Sequence, residues 1–266
     1  MTTLITGATG RLGSRILAHT LTRLPADCVA VSVRDPEKAA GLGVEVRRGD
    51  FDGPLGDAFA GVETLLMVSV DGPDDVRIAR HLAAVRAAAD AGVRRIVYTS
   101  VTDADTSPLG LARVHKETED AIRATGIPFT FLRNGMYHEN FLPHGPGPIV
   151  TAAGDGRIAT ASRDDLALAA AVVLAGEGHE NAVYELTGAR AWTFDELAAL
   201  AGTTHERVTP EERVAGLEGL GLPGFAAELL ADIEVNIGRG VLAEVRPDLE
   251  KLIGRTPTGI EDALKG

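Results

Sequence analysis

The residues best able to do chemistry stand almost at the start of the chain: Gly7-Ala8-Thr9-Gly10-Arg11-Leu12-Gly13. Glycines at i, i+3 and i+6 meet three separate needs. One turns the chain tightly, one lets backbone amides approach a pyrophosphate, and one lets a helix pack closely on a strand. The amides of the first helical turn would face the phosphates, where the helix dipole favours negative charge. A glycine-rich turn alone says little, and a ligand-free strand–helix turn is the competing reading. Its place between the first apolar run and the first helical pattern makes it a dinucleotide loop.

The residues after the second apolar run select the dinucleotide. Val33 is succeeded by Arg34 and then Asp35-Pro36. Folds that choose NAD place a carboxylate here for the ribose 2′-hydroxyl, whereas arginine suits a 2′-phosphate. Asp35 before Pro36 has a local duty as N-cap with proline at N1. That leaves the forked donor of Arg34, so NADP(H) is preferred over NAD(H). Gly49-Asp50 and Ser69-Val70-Asp71 end the third and fourth apolar runs, where doubly wound sheets line their ligand crevice. Asp50 is a candidate acceptor for the adenine amino group or else a turn aspartate. Ser69 divides the same way.

These motifs need a scaffold of alternating strands and helices. Apolar runs predict strands at 3–6, 28–33, 44–48, 64–68, 95–100 and 129–132, with helices near 11–21, 36–40, 54–59, 75–91 and 109–125. In the fourth helix Ile78, Leu82, Val85 and Ala89 recur at helical spacing, and Gly92 supplies the stop. Such alternation means right-handed crossovers: an α/β Rossmann fold, a doubly wound parallel sheet with helices on both faces. Residues 1–134 form the dinucleotide-binding domain, completed by a late strand near 183–187. Residues 135–160, rich in Gly, Pro and His, read as a flap. A helix at 166–174 precedes the late strand. Residues 190–266 read as a small, mostly helical C-terminal substrate lobe, with capping boxes at Thr193/Glu196 and Thr258/Glu261.

Composition removes several function classes. Lys plus Arg number 26 against 38 Asp plus Glu, a net charge of −12. That excess repels phosphate backbones and anionic lipid, so no nucleic-acid partner is expected. The longest apolar stretch, from Leu166 to Gly176, falls short of the ~20 residues of a membrane span, so no membrane insertion is expected. A single cysteine, Cys28, excludes an intramolecular disulfide and fits a reducing compartment. The opening Met1-Thr2-Thr3-Leu4-Ile5 carries no basic n-region, and a cytoplasmic location is the expectation. His138 and His144 lack ligand spacing and no HExxH occurs, so no metal site is expected.

The glycine loop, Tyr98-Thr99-Ser100, Asp105-Thr106-Ser107-Pro108-Leu109-Gly110-Leu111-Ala112 and Leu132-Arg133-Asn134-Gly135-Met136-Tyr137 with Glu139-Asn140 together resemble the atypical short-chain dehydrogenases/reductases. Ala152-Ala153-Gly154-Asp155-Gly156 and Val183-Tyr184-Glu185-Leu186-Thr187-Gly188 extend the likeness over nearly the whole chain. It is closest to the NmrA-like branch, and there to bacterial NAD(P)H:quinone oxidoreductases of the short-chain type. The resemblance implies that Gly7 to Leu12 carry the pyrophosphate loop, with Gly13 in the cofactor set beside it, Arg34 the 2′-phosphate, and Ser69 to Asp71 the cofactor's ribose. It puts Asn134 to Glu139 beside the nicotinamide and the substrate opening. Ser100 and Gly135 complete the expected cofactor set, and Met136, Tyr137, His138 and Phe141 the substrate-binding set.

Most short-chain dehydrogenases use a Tyr-x-x-x-Lys pair, and in extended members a glutamate comes four residues after the lysine. With Glu119 at that place, His115 stands at the lysine position and Leu111 at the tyrosine position; Lys116 is one residue off. The tyrosine is missing, which argues against ordinary alcohol dehydrogenase or epimerase chemistry. A quinone fits the departure: its reduction yields a hydroquinone anion of low proton affinity, which water can protonate. Such a site needs proximity and orientation more than an acid. Tyr137 and His115 are the catalytic candidates, neither assigned a role. The expectation is hydride transfer from NADPH to a small quinone without flavin or metal, by a monomer or homodimer. Reduction of another activated carbonyl or enone differs only in the pocket. A catalytically silent NADP(H)-binding redox sensor of the NmrA-like type is the alternative.

Overall fold

The computed structural model describes residues 2–143 and 145–265, so the reading of His144 lies outside the described residues. Its strands are β1 (Thr3–Thr6), β2 (Val29–Val33), β3 (Glu45–Arg48), β4 (Thr64–Met67), β5 (Arg95–Val101), β6 (Phe129–Asn134), β7 (Ile149–Thr151), β8 (Arg157–Ile158), β9 (Ala182–Leu186), β10 (Trp192–Thr193) and β11 (His205–Arg207). Its helices are α1 (Gly13–Leu21), α2 (Gly56–Phe59), α3 (Asp74–Asp90), α4 (Gly110–Ala124), α5 (Arg163–Ala175), α6 (Phe194–Ala201), α7 (Pro210–Gly219), α8 (Gly224–Gly238), α9 (Asp248–Ile253) and α10 (Ile260–Ala263).

Seven strands form one parallel sheet in the order β3-β2-β1-β4-β5-β6-β9. The doubly wound α/β expectation holds. β1 and β2 are buried along their whole length, as strands covered on both faces must be, and their residues are nearly all Val, Ile, Leu, Ala or Thr. On one face Ile16 and Leu17 of α1 meet Leu166, Ala170 and Val173 of α5 and Leu249 of α9. On the other, Phe59, Ala84, Val85 and Ile122 cover the sheet from α2, α3 and α4. Strand order reverses between β1 and β4, so the crevice outside their carboxyl ends is the expected ligand site.

Several local expectations change. The buried stripe of α3 is Arg77, His81, Ala84, Val85 and Ala88, one residue out of step with Ile78, Leu82 and Ala89. The 135–160 segment is tied down as well as looped: β7 pairs in parallel with β11, and β8 antiparallel with β10. Thr193 caps α6 through the Glu196 amide (3.2 Å), but the Glu196 carboxylate goes to Arg157 and Arg190, so only half the box forms. The Thr258/Glu261 box does not form. Gly259 is the N-cap of α10, and the Thr258 N–H donates instead to Asp165. A complete box stands at Thr209/Glu212, where Pro210 opens α7. Cys28 lies in a 3-10 turn before β2 rather than in the strand. Trp192, Phe194, Ile233 and Ile237 centre a third core under the C-terminal helices.

Candidate active site

Gly7 sits at φ +64, a left-handed conformation open to glycine. The Gly10 N–H donates to Gly7 O (2.9 Å), closing the turn. A Cβ on Gly13 would stand 2.1 Å from that same oxygen, so close helix–strand packing excludes any side chain there. Ala8 and Leu12 point into the core, whereas Thr9, Gly10 and Arg11 are exposed. α1 has no side-chain cap and no acidic residue in its first turn, leaving its amides for an outside acceptor. An open groove lined by Arg11, Arg15, His19 and Arg163, with Asp164, leads off the loop. In a chain of net charge −12, this cationic border fits a dinucleotide's phosphates.

Asp35 does cap locally: its carboxylate accepts from the Glu37 amide (3.2 Å), with Pro36 at N1. Arg34 beside it is exposed. Asp50 is engaged at home, its carboxylate accepting from the Asp52 amide (3.2 Å). Asp52 takes two hydrogen bonds from Arg80, and these, with the nearby charge of Arg34 adding least, hold its carboxyl below the ordinary value.

Beyond β4 the chain is pinned by side chains. The amides of Val68, Ser69 and Val70 donate in turn to Thr6 Oγ1 (2.9 Å), Thr99 Oγ1 (2.9 Å) and His81 Nε2 (3.1 Å). Arg77 donates to Val70 O (2.8 Å) and Ser69 Oγ (3.3 Å). Asp71, next in line, is exposed at the crevice.

After β6 the backbone stays extended, so neighbouring side chains face opposite ways. Tyr137 turns toward the crevice. Its hydroxyl lies by Asn134 and feels the charge of Asp71, and Arg163 stacks 5.0 Å from its ring centroid. Burial is the main cause that raises the Tyr137 phenol above its ordinary value. Asn134 is 5% exposed, and its Oδ1 has no partner among the described residues. Met136 and His138 turn the other way, and this corrects their expected place in the substrate set. Met136 joins the lobe core. His138 donates from Nε2 to Thr258 O (2.9 Å) and accepts from the Thr160 hydroxyl at Nδ1 (2.6 Å). Phe141 is half-buried against Trp192 and Phe194, at 6.1 and 5.8 Å between ring centroids. Gly135 donates to Leu186 O (2.7 Å), and a Cβ there would press on that oxygen at 3.0 Å; it serves close packing of β6 on the chain after β9.

On α4, Leu111 packs against the lobe core and exposed Lys116 pairs with Asp120 (2.5 Å). His115 is buried: Nε2 lies 3.4 Å from an Arg77 nitrogen and Nδ1 2.9 Å from Tyr98 Oη. Burial first, then the charge of Arg77, hold its pKa well below the ordinary value. It therefore stays neutral near pH 7 and has no imidazolium proton to give. Ser100 donates to Glu119 (2.6 Å), so its hydroxyl proton is committed below the crevice. Glu119, fully buried, also holds Arg133 at 2.9 and 2.7 Å. Asp105 and Glu185 grip the same guanidinium at 2.6 and 3.0 Å.

The model of the NAD(P)H-binding family matches residues 7–177, from the first glycine of the loop through α5. The chain belongs to the NAD(P)H-binding family. It is 41% identical to quinone oxidoreductase 2 of Escherichia coli strain K12, covering 98% of this chain and 96% of that one. The structure of an NADPH-dependent quinone oxidoreductase from E. coli complexed with NADPH superposes with TM-score 0.93 at 40% identity, covering 99% of each chain. Triphenylmethane reductase of Citrobacter sp., complexed with NADP(H), gives 0.95 at 41%, covering 100% of this chain and 99% of that one. An NmrA-like family domain-containing oxidoreductase of Aspergillus flavus, 32% identical over 98% of this chain and 93% of that one, bears out the resemblance to NmrA-like reductases. Within this NAD(P)H-binding chain, sequence reasoning missed Arg77, His81 and Tyr98 as neighbours of the crevice. Arg77 and His81 stand at i and i+4, and that spacing was the available signal.

Proposed function

We propose that this NAD(P)H-binding protein is an NADPH-dependent quinone oxidoreductase that works without flavin or metal. The observation that carries the reading is α4: Leu111 stands where a tyrosine acid would, and His115 is neutral, buried and turned to Tyr98. Acceptors whose reduced form needs no placed acid fit such a site. The relatives at 40–41% identity bear reductase names, so the sensor alternative is set aside.

The glycine loop and the uncapped end of α1 would hold the pyrophosphate, Arg34 the 2′-phosphate, and Ser69 to Asp71 the ribose. Bound NADPH supplies the hydride. Tyr137, braced by Arg163, presents an aromatic wall against which a flat acceptor can lie. The Asn134 amide beside it offers polar contacts from a buried position. Orientation and exclusion of water are these residues' contribution, and the one proton that completes the hydroquinone comes from solvent. We place this activity in the cytoplasm, in a monomer or homodimer.

The direct test monitors NADPH absorbance with a short-tailed benzoquinone or naphthoquinone beside an enzyme-free control. Tight NADPH binding with no oxidation above that control, for any quinone tried, hands the site to the sensor reading. Lys116→Ala should leave kcat within about threefold, since its ammonium serves Asp120, while Tyr137→Ala should raise the quinone KM about tenfold, roughly 1.4 kcal/mol of lost contact. A thousandfold fall in kcat for Lys116→Ala would mean a hidden acid. Arg34→Ala should weaken NADPH by about 1.5–3 kcal/mol and leave NADH nearly unchanged, because NAD has no 2′-phosphate for the fork. Calorimetric titration of both cofactors decides it; equal losses reject the assignment.

A further inference from the structure

α3 buries a polar pair on its sheet-facing stripe. Arg77 is 5% exposed and His81 is 0% exposed, while the apolar Ile78 and Leu82 one position on are only half-buried. Burying a guanidinium and an imidazole costs free energy unless their hydrogen bonds are made. They are made, and the two side chains meet on Val70. His81 Nε2 accepts the Val70 N–H, and Arg77 Nε donates to the Val70 carbonyl, so both backbone groups of Val70 are held by residues one turn apart on α3.

The protons along this layer have fixed directions. Because Nε2 of His81 accepts, its proton is on Nδ1 and goes to Thr118 Oγ1 (3.0 Å), which donates to Val114 O (2.7 Å). Because Arg77 can only donate, Nε2 of His115 accepts, and its Nδ1–H goes to Tyr98 Oη. Ser69 Oγ in turn accepts from Arg77. The Ser69 hydroxyl also lies beside that of Tyr98.

We infer that Arg77 and His81 are positioning residues for the cofactor, fixing the Ser69–Asp71 backbone in the conformation NADPH binds, with Tyr98 and His115 as the layer behind them. The inference rests on the cofactor lying along Ser69–Asp71. It gives the two residues no part in the chemical step, so their loss moves NADPH affinity and leaves saturated turnover in place.

The test compares His81→Leu, which keeps bulk but loses the acceptor, with His81→Gln, whose Oε1 can still accept the Val70 N–H. NADPH Kd and KM should rise at least tenfold in His81→Leu and stay within threefold of native in His81→Gln. Saturated kcat should stay within threefold in both. Arg77→Met, which strips the donor to Val70 O, should raise Kd in the same way. Equal Kd values for the native protein and a folded His81→Leu overturn the inference, as does a fall in kcat without change in Kd. If His81→Leu does not fold, imidazole 15N shifts of the native protein decide: Nδ1–H on His81 supports the arrangement, and Nε2–H overturns it. Ser69→Ala separates the two layers of argument. Unchanged NADPH affinity there refutes the cofactor placement itself, whereas weakened affinity with an unaffected His81→Leu refutes positioning alone.

Discussion

A Gly10→Val variant is expected to fold and to bind NADPH at least a hundredfold more weakly, about 2.7 kcal/mol. The reason lies in what surrounds each glycine of the loop. At Gly10 the backbone is not left-handed, and a Cβ would meet Gly7 O at 3.2 Å, a contact relieved by a shift of a few tenths of an ångström. The position is exposed, so the branches of valine enter the space where phosphates must approach the amides. Gly13 is different: with Gly7 O at 2.1 Å, any side chain there damages the turn itself. Calorimetric titration with a circular-dichroism melt checks the claim. A folded Gly10→Val protein with native affinity would falsify the loop's role.

Removing the carboxylate of Glu119 should be the costliest single change to stability. Glu119 accepts from Arg133, Ser100 and Arg123 with no exposed surface, and Arg133 is itself 5% exposed. Burial alone disfavours the Arg133 charge, but its hydrogen bonds to Glu119 and Asp105 outweigh this and raise its pKa above the ordinary arginine value. Taking one partner from such a buried pair costs about 3–5 kcal/mol, because the other charge stays behind. Glu119→Ala should therefore lower Tm by roughly 6–20 °C for a chain of this size. Glu119→Gln, which keeps an acceptor, should lose less. A loss under about 1 kcal/mol in Glu119→Ala would show that Asp105 and Glu185 suffice for Arg133.

The sheet and its loop were legible because their causes are local. A β-branched run, three spaced glycines, and an aspartate before proline each state their own conformation, and all three appear where expected. The side-chain directions after β6 were not legible in the same way. Met136, Tyr137 and His138 all suit a substrate wall by type, but extended backbone sends the middle one opposite to its neighbours, and only the fold says which side is the crevice. α3 misled for a related reason. Periodicity finds the apolar stripe, whereas this helix buries Arg77 and His81 to satisfy a loop fixed by tertiary contact. The Thr258/Glu261 pattern lost to a distant competitor, the buried Asp165, which no local window contains. The Glu119 position drew notice as part of a pattern, but its charge partner Arg133 comes from β6, and that guanidinium is shared with Glu185 of β9 and Asp105 of the loop after β5.

The sheet's last strand, β9, pairs along β6 from Thr130 to Asn134, although residues 135–181 separate the two in the chain. A ribosome adding about 5–20 residues per second takes about 2–9 s to cross that interval. Throughout it the nascent sheet ends on β6, whose outer edge, Thr-Phe-Leu-Arg-Asn, offers unpaired amides and carbonyls to any neighbouring chain. Synthesis order thus gives this protein a window of edge-to-edge aggregation that closes when β9 emerges. Rare codons between 135 and 181 would lengthen that window, and holdase chaperones would be needed most there.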